Sequence, residues 1–361
     1  MKKLKVGIVG YGIVGKRRRI FIDQNSNLET TCVCDVRFLE NDFKNNIGKT
    51  HSNYDKIEQL SSQKSVSGML LDGVGFYSDY KKMLSENNLD MVFVCLPNYL
   101  APDATIESLK KGCNVFCEKP PGRTVQDIIN VRKQESKNKN LKLKYGFNHR
   151  YHGSVQKTKQ IIDQNLFGEI INFRGVYGKS SIVPVKNEWR SLKKYSGGGI
   201  LLDQGIHMLD LFRYFCGDFN EIKSFISNNY WKHNVEDNAY AIMRDEKGRI
   251  AMIHSTATQW QHRFKLEITF EKGYIELSGI LSGSKSYGQE KLKIIPKESN
   301  SSVGSLKVEE INYLNDNSWN DEIIDFTDIV LNNKKVVTGN SYDALKVMEL
   351  VENIYKEDLK E

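Results

Sequence analysis

The sequence predicts a two-domain α/β protein: a doubly wound parallel sheet, followed by an α+β domain with a large, mostly antiparallel open sheet. Up to residue 148, short apolar runs alternate with helical patterns, which indicates strands joined by helical crossovers. From residue 149 onward, long runs of alternating polar and apolar residues are typical of antiparallel strands with one solvated face. The length of 361 residues suffices for two cores. We therefore place the domains at residues 1–148 and 149–361.

The elements of the first domain follow from runs rich in Val and Ile, which indicate buried strands, and from the amphipathic stretches between them. We predict strands at 4–10, 28–34, 90–96, 113–119 and 141–147, and helices at 13–24, 79–86, 101–111 and 124–137. The polar stretch 38–75 shows no regular period and is left unassigned. Strands alternating with helices at this spacing form a parallel sheet with helices on both faces.

The second domain starts with a helix at 154–165 and a strand at 169–178. A polar loop then leads to Gly197-Gly198-Gly199 and to an apolar helix that extends to Phe215. Strands are predicted at 221–230, 237–244, 249–260, 264–271 and 273–277, with a hairpin turn at Glu271-Lys272-Gly273-Tyr274. Two further helices are predicted at 319–331 and 342–355.

Composition argues against several classes of function. The chain is 39% hydrophobic and 27% charged, as in ordinary globular proteins, and its net charge of +7 is modest for its length. It has neither a long Lys/Arg block nor a nucleic-acid module, so we expect no nucleic-acid partner. No apolar run is long enough to span a bilayer or to form a signal peptide, which predicts a cytoplasmic protein without a membrane partner. The six cysteines are interpreted as small buried residues rather than metal ligands.

A glycine-rich motif, Gly10-Tyr11-Gly12-Ile13-Val14-Gly15, follows the first strand and opens the first helix. Gly10 permits a tight turn, Gly12 lets the backbone approach a pyrophosphate, and Gly15 lets the helix pack close to the strand. The helix N-terminus presents unpaired N–H groups to the phosphates. In this context the motif predicts a Rossmann domain that binds NAD.

The second strand ends at Asp35, about twenty residues after Gly15, where a carboxylate accepts hydrogen bonds from the ribose hydroxyls and repels a 2′-phosphate. Asp35 therefore favours NAD. NADP stays open because Arg37 or the run Lys16-Arg17-Arg18-Arg19 can accommodate a 2′-phosphate, although we prefer a solvated helix face for that run. Leu96-Pro97-Asn98 ends another strand at the same sheet edge, and we expect it to form the nicotinamide-side wall.

The motif Glu118-Lys119-Pro120 follows the buried run 113–117. A Lys at the carboxyl end of a strand in an open α/β sheet faces the crevice where ligands bind, and Pro120 fixes the backbone after it. Burial favours the neutral amine, which suits proton exchange with a substrate hydroxyl. We predict that Lys119 is catalytic and that Glu118 and Lys119 line the cofactor site. The alternative is a structural pairing of Lys119 with Glu118.

The apolar helix after Gly199 carries Asp203, His207 and Asp210 at i, i+4 and i+7, so that the three share one face. Polar groups on a buried helix need a partner or a function. We predict that His207 contacts the reacting oxygen, and that Asp203 binds substrate and orients His207. The alternative is a satisfied Asp-His pair that pins the helix. Asp210 is expected to be structural, and no third ligand supports a metal site.

A basic loop precedes this helix, with Lys179, Lys186, Arg190, Lys193 and Lys194 against Glu188. It could bind a phosphate or carboxylate on the substrate, although a solvated loop is the simpler interpretation. Trp189 beside Arg190 can stack on a sugar ring or a base. We therefore include Trp189 and Arg190 among the predicted substrate-binding residues.

These motifs together resemble the Gfo/Idh/MocA family of oxidoreductases, which includes glucose-fructose oxidoreductase and inositol dehydrogenase. The resemblance covers nearly the whole chain and rests on the order and spacing of Gly10-x-Gly12-x-x-Gly15, Glu118-Lys119-Pro120, Gly146-Phe147-Asn148-His149-Arg150-Tyr151, Trp189-Arg190, Gly197-Gly198-Gly199 and Asp203-x-Gly205-x-His207. It implies a Rossmann domain and an α/β domain whose open sheet face often builds dimers or tetramers. It also implies proton transfer by Lys119 and His207 and substrate contact by Asp203, and we add Arg150 to the substrate-binding set.

The predicted function is hydride transfer between NAD and a hydroxyl or keto group of a sugar, polyol or sugar derivative. The resemblance implies pyranoses, inositols, sugar phosphates and nucleotide sugars as substrates, and the basic loop favours an anionic one. Two alternatives remain. One is an enzyme that retains NAD and cleaves a glycosidic bond through transient oxidation, and the other is a non-enzymatic nucleotide-binding regulator. A regulator has no use for a proton-transfer pair.

Overall fold

A computed structural model describes residues 3–38, 73–180, 188–280, 286–297 and 307–359. The chain divides into two compact units, Met1–Gly146 with Trp319–Ala344, and Phe147–Ser318 with Leu345–Glu361. The break after Gly146 lies close to the boundary that we predicted at residue 148. The segment Trp319–Ala344 differs from the prediction, because it belongs with the N-terminal unit.

The first unit is built on a six-stranded parallel sheet in the order β3-β2-β1-β4-β5-β6. This is the strand order of a Rossmann fold, and it confirms the predicted doubly wound sheet. Strand β3 was not predicted, since three residues are too few to show a period. The strands are β1 (Leu4–Val9), β2 (Leu28–Cys34), β3 (Gly75–Tyr77), β4 (Met91–Val94), β5 (Asn114–Glu118) and β6 (Leu143–Gly146). The helices are α1 (Ile13–Gln24), α2 (Tyr80–Glu86), α3 (Ala101–Lys110) and α4 (Val125–Glu135).

The core of this unit includes a helix from the far end of the sequence. Phe93 of β4 and Phe116 of β5 stack at 5.0 Å between ring centroids, and Phe326 packs edge-on at 5.7 Å from Phe116. Phe326 belongs to helix Ser318–Leu331, and Ile323 of that helix lies in the same buried cluster. Apolar burial of this kind stabilises by roughly 1.5–3 kcal/mol for each large side chain. The segment is therefore part of the N-terminal core.

A buried charged cluster joins the same helix to α1. The guanidinium of Arg18 is fully buried, and it donates from Nε to Glu118 at 2.6 Å and from Nη2 to Glu322 at 2.7 Å. Its Cζ atom lies over the rings of Phe116 at 4.5 Å and Trp319 at 4.2 Å. A solvated helix face is therefore the wrong prediction for Arg18, and also for buried Arg19. Sequence periodicity could not show it, because both carboxylate partners of Arg18 are distant in the chain.

The second unit contains an eight-stranded sheet in the order β14-β13-β12-β11-β7-β10-β9-β8. Within the described strands, β7 and β10 pair in parallel and the other neighbours are antiparallel, which confirms the predicted open sheet. The strands are β7 (Ile170–Gly178), β8 (Glu221–Ser227), β9 (Asn238–Arg244), β10 (Ile250–Thr256), β11 (Arg263–Phe270), β12 (Gly273–Ser278), β13 (Glu290–Pro296) and β14 (Glu309–Tyr313). The helices of this unit include α5 (Gly153–Asp163) and α6 (Ile206–Cys216). Two helices end the sequence: α7 (Ser318–Leu331), which from Trp319 onward belongs to the first unit, and α8 (Ser341–Asp358), which belongs to the second unit from Leu345 onward.

One face of this sheet is covered and the other is exposed. Gly175 of β7 lies directly against Met208 and Phe212 of α6, so a side chain at position 175 would collide with them. On the opposite face, alternate residues such as Tyr240 and Ile242 of β9 are exposed. Strands β13 and β14 were not predicted.

The cysteines match the interpretation as buried residues. All six are free thiols; four are buried, and Cys95 and Cys216 are partly buried. Burial raises the pKa of the Cys32 and Cys117 thiols to about 12, so these side chains stay protonated. In the described part of the chain, every helix is too short or too polar to cross a membrane.

Glu322 should make stability depend on pH. Burial raises the pKa of Glu322 from 4.5 to about 7, although Arg18 opposes the shift. Because the raised pKa favours the protonated form in the fold, its stabilising effect is complete below pH 4.5 and lost as pH rises through 7. The loss is about 3 kcal/mol. We expect the thermal unfolding temperature to fall more between pH 5 and pH 8 in the unsubstituted protein than in Glu322→Gln.

The matched control for this prediction is Asp325→Asn on the same helix, because Asp325 is the carboxylate partner of another buried cation, Lys144, at 2.9 Å. The control should keep the pH dependence of the unsubstituted protein. An identical pH dependence in Glu322→Gln would contradict the assignment.

Candidate active site

Three of the predicted cofactor segments lie at one edge of the first sheet. The glycine motif follows β1, Leu96-Pro97-Asn98 follows β4, and Lys119 follows β5. Because β1, β4 and β5 are parallel neighbours, their carboxyl ends meet at the same edge, where the strand order reverses. The turn after β1 is held by a hydrogen bond from the Gly10 N–H to the Cys34 carbonyl at 2.8 Å.

The glycine loop has the shape that a pyrophosphate needs. Gly10 has φ of +91°, a conformation that favours glycine, and a side chain there would collide with the Cys95 carbonyl. A side chain at Gly15 would collide with the Gly10 carbonyl, so only glycine lets α1 pack this closely. At Gly12, by contrast, a methyl group would meet nothing within 4 Å. That open space at the helix N-terminus fits a phosphate group.

Asp35 lies beside this loop and is held by two neighbours. It accepts from the Tyr11 backbone N–H at 3.1 Å, and from Nε and Nη2 of Arg37 at 2.7 and 2.8 Å. Burial works against ionisation of Asp35, but the hydrogen bonds from Arg37 and Tyr11 outweigh it and lower the pKa of the carboxyl. Arg37 is 66% exposed and covers the carboxylate that was predicted to bind the ribose hydroxyls.

The other residues of the glycine motif contribute mainly through the backbone. The Tyr11 ring is buried, and its hydroxyl accepts from Arg19 at 2.9 Å. Ile13 and Val14 form the first turn of α1. Since Arg19 is committed to Tyr11 and Asp23, and Arg18 to its two carboxylates, neither is presented to a 2′-phosphate.

Glu118 and Lys119 end β5 with different surroundings. The Glu118 carboxylate is 11% exposed and paired with Arg18 in the interior. Lys119 is partly buried, and the peptide bond between Lys119 and Pro120 is cis. Lys119 is the first residue after β5 and therefore lies at the carboxyl end of that strand.

In the second unit, Asp203 lies on a π-helical turn, Leu201–Gly205, that leads into α6. The sequence predicted an ordinary helix here. The start of the turn is capped by Glu236, whose carboxylate accepts from the backbone N–H groups of Gly199 at 2.8 Å and Leu201 at 3.0 Å. Burial raises the pKa of Glu236 despite these hydrogen bonds. Single π-helical turns of this kind are frequent at functional sites.

Asp203 is flanked by two cations. Lys179 Nζ lies 3.7 Å from Asp203 Oδ2, and Arg190 Nε lies 3.8 Å from Oδ1. All three side chains are partly exposed. The structure thus brings the basic loop to the predicted substrate carboxylate, with one positive charge in excess. Residues 181–187 of that loop, including Lys186, lie outside the described residues.

His207 is buried in an aromatic stack. Its ring stacks on His149 with 3.7 Å between centroids and an interplanar angle of 15°. His149 in turn is within 3.1 Å of the Tyr177 hydroxyl and 3.2 Å of Asn148 Oδ1. Burial raises the pKa of the Tyr177 phenol. His149 was predicted only as part of a motif, and Tyr177 was not predicted, because its place in β7 gives no local signal in the sequence.

The remaining predicted substrate residues have identifiable partners. Arg150 is buried and donates to Asp210 from Nε at 2.8 Å and from Nη2 at 2.6 Å. This bidentate pair gives both residues a structural role, in agreement with the expectation for Asp210, and the substrate contact of Arg150 stays a prediction. Arg190 Cζ lies 4.3 Å over the Trp189 ring, so one face of that ring is covered.

Two family models match the chain. Residues 70–147 match an oxidoreductase family with an NAD-binding Rossmann fold, and residues 155–276 match the GFO/IDH/MocA C-terminal domain. Together the two matches cover more than half of the chain.

Three curated relatives add context. Levoglucosan dehydrogenase of Pseudarthrobacter phenanthrenivorans is 28% identical over 152 residues, 42% of this chain and 39% of that protein. D-glucoside 3-dehydrogenase of Escherichia coli is 28% identical over 230 residues, which are 63% of this chain and 58% of that protein. The 2,7-anhydro-N-acetylneuraminate hydratase of Escherichia coli is 24% identical over 280 residues, which are 76% of this chain and 67% of that protein. The match therefore spans 39% and 58% of the length of the first two relatives.

A solved structure of levoglucosan dehydrogenase, in complex with NADH and L-sorbose, superposes with a TM-score of 0.81 at 18% identity and covers 100% of this chain and 98% of that one. At this identity the likeness shows the fold. With the two domain models matched in order, the chain belongs to the Gfo/Idh/MocA family of oxidoreductases.

Proposed function

We propose that the protein is an NAD-dependent dehydrogenase or reductase that acts on a hydroxyl or keto group of a sugar or polyol derivative. The observation that carries the proposal is the placement of Lys119 at the same sheet edge as the glycine loop, with the neighbouring Glu118 anchored in the interior. A bound nicotinamide would accept or supply the hydride. The relatives named as levoglucosan and glucoside dehydrogenases support a carbohydrate substrate.

In this proposal the protein moves a proton while a hydride leaves the substrate carbon. Oxidation breaks the O–H and C–H bonds of a carbinol: Lys119 takes the proton, and the electron pair of the C–H bond leaves with the hydride. His207 assists at the reacting oxygen, and its stacking on His149 fixes the plane of its ring. Asp203 binds a substrate hydroxyl. Reduction follows the same steps in reverse.

The cofactor we propose is NAD, with NADP as the alternative. Asp35 supports NAD because an ionised carboxylate accepts from ribose hydroxyls and repels a 2′-phosphate. Arg37 forms a fork over both Asp35 oxygens and supplies the positive charge that NADP would need. Glycine-loop residues Gly10, Gly12 and Gly15 would hold the pyrophosphate, and Leu96, Pro97 and Asn98 the nicotinamide side.

We also propose that the substrate carries an anionic group. Lys179 and Arg190 place two positive charges around the single carboxylate of Asp203. His262 adds no charge to this region, because burial and the nearby Lys179 lower its pKa. A phosphate or carboxylate of a sugar derivative would accept hydrogen bonds from Lys179 and Arg190.

A second candidate function is an NAD-retaining enzyme that oxidises its substrate transiently and cleaves or hydrates a bond without net redox change. The hydratase among the relatives favours it, since its name describes a reaction without net oxidation. Both functions use the same proton-transfer residues. Product formation without a change in NADH absorbance would distinguish this candidate from a dehydrogenase.

We propose further that the protein is a homodimer or homotetramer in the cytoplasm. The open face of the second sheet exposes Phe225, Tyr240, Ile242 and Ile250, which is more apolar surface than an isolated sheet face ordinarily leaves in water. A monomer in sedimentation velocity would contradict this assembly.

Substitution of Gly12 tests the cofactor assignment. We expect Gly12→Ala to keep the unfolding temperature, because the added methyl group meets no protein atom, but to weaken NADH binding at least tenfold by filling the pyrophosphate space. Fluorescence titration with NADH and NADPH measures both affinities. Unchanged NADH affinity would exclude this loop as the phosphate site. The control is Ser136→Ala at the exposed end of α4, which should change neither NADH affinity nor the unfolding temperature.

Lys119→Ala tests the proton-transfer role. We expect turnover to fall by roughly 10²- to 10⁴-fold, the usual contribution of general acid–base catalysis, while NADH affinity stays within about twofold. Steady-state kinetics on a panel of sugars and sugar phosphates, followed at the NADH absorbance, gives the rate. Lys111→Ala, exposed before β5, is the matched control and should behave as the unsubstituted protein. Normal turnover by Lys119→Ala would reject the role.

Lys179→Gln tests the preference for an anionic substrate. We expect KM to rise about fivefold to tenfold for a phosphorylated or carboxylated sugar, and to change little for the neutral parent sugar, since one charge-assisted hydrogen bond is lost. Lys272→Gln, exposed in the β11–β12 hairpin, is the control. Equal KM changes for both substrates would show that Lys179 does not bind the anionic group of the substrate.

A further inference from the structure

Arg18, Glu118 and Glu322 form a buried ion cluster, and Glu118 is the residue directly before Lys119, the proposed proton acceptor. It holds one guanidinium and two carboxylates, and all three residues lie in the first unit. Arg18 Nη1 and Glu322 Oε1 are buried with no hydrogen-bond partner among the described residues, so within that part of the chain the cluster is only partly satisfied. A buried ion cluster of this kind is weak support for stability, because removing charges from water is costly. A role beyond stability is therefore worth seeking.

Glu118 connects this cluster to Lys119. The two residues are adjacent at the end of β5, and Arg18 holds the Glu118 carboxylate at 2.6 Å on the interior side. Because Lys119 is the next residue in the chain, a movement of the Glu118 backbone would displace Lys119 as well. The guanidinium itself cannot swing, since Phe116 and Trp319 cover it at 4.5 and 4.2 Å.

Arg18 also cancels a charge that would oppose proton transfer. An ionised carboxylate next to a lysine stabilises the ammonium form, which cannot accept a proton. The guanidinium neutralises Glu118 without approaching the ligand edge, because it lies in the interior. Pairing with Arg18 therefore weakens the effect that the Glu118 charge would have on Lys119.

Glu322 competes for the same guanidinium from helix α7. The other charged or titratable groups that face the cluster are Lys144, which is itself paired with Asp325, and the Cys95 thiol. Burial raises the pKa of Cys95 well above its ordinary value, so that thiol stays neutral. Glu322 is thus the group in the cluster whose charge can change near neutral pH.

We propose that Arg18 is a positioning residue for Lys119: acting through Glu118, it fixes the turn that carries the lysine and cancels the charge of the Glu118 carboxylate, which belongs to the preceding residue. This rests on the proposed function, which takes Lys119 as the proton acceptor. Arg18 touches neither substrate nor cofactor in this role. Its influence depends wholly on Glu118.

The test measures Lys119 directly in the full-length protein, without turnover. Acylation of Lys119 by an amine-reactive reagent is followed against pH by peptide mass spectrometry, and the midpoint is compared among variants. In Arg18→Lys the single ammonium cannot bridge two carboxylates, so the midpoint should rise by at least about half a pH unit. In Glu118→Gln the charge is gone and the midpoint should fall. Asp325→Asn, the matched carboxylate control on α7, should leave it unchanged.

The double variant Arg18→Lys with Glu118→Gln decides whether Arg18 acts through Glu118. We expect the effect of Arg18→Lys on the midpoint to vanish in the Glu118→Gln background, since the two residues then form one pathway. A full, unchanged effect in that background would overturn the proposal. Should Arg18→Lys fail to fold, an unshifted midpoint in Glu118→Gln would overturn it equally.

Kinetics separate this role from a structural one. Arg18→Lys should lower kcat about tenfold while NADH affinity stays within about twofold. Parallel loss of NADH binding would show general damage to α1 and count against positioning. If the unsubstituted protein oxidises none of the sugars tested, the proposed function fails, yet the acylation midpoints still decide the role of Arg18.

Discussion

The close approach of α1 to the end of β1 is the constraint on which the first unit depends. Gly15 lies against the Gly10 carbonyl, at a distance that excludes any side chain. This contact aims the helix N-terminus at the sheet edge, where Gly12 leaves open space. It also sets Arg18, one turn farther along α1, into the interior beside Glu118. One steric requirement thus shapes the glycine loop and brings the helix close to β5, after which Lys119 follows.

In the second unit, polar groups are held at the start of a buried helix by hydrogen bonds to Glu236. Glu236 accepts from two backbone N–H groups and from the Tyr355 hydroxyl at 2.8 Å, so the π-helical turn is anchored from two directions. Asp203 is left partly exposed with Lys179 and Arg190, while His207 is buried against His149. The two predicted partners therefore have separate environments: one faces charge, and the other an aromatic stack.

Local periodicity was enough to predict most elements, because each depends on residues close in sequence. Helix α1 and strand β2 have the predicted bounds, and the glycine motif lies where the fingerprint requires it. What escaped prediction depends on distant residues. The sequence pattern around Arg18 is that of a surface residue, because its partner Glu322 lies far along the chain. The pairing of Arg150 with Asp210 was not predicted for the same reason. The π-helical turn was hidden because one extra residue in a helical turn leaves the apolar pattern almost intact.

The contribution of helix α7 to the N-terminal core has a consequence for how the protein is made. Residues 1–146 leave the ribosome long before Ile323 and Phe326, which complete the core around Phe93 and Phe116. Until then Arg18 lacks one of its two carboxylates, and the apolar surface that α7 covers is in water. The nascent N-terminal half is therefore an incomplete unit that must wait for the rest of the chain. A fragment that ends near residue 146 would lack Ile323 and Phe326, and its core would therefore stay incomplete.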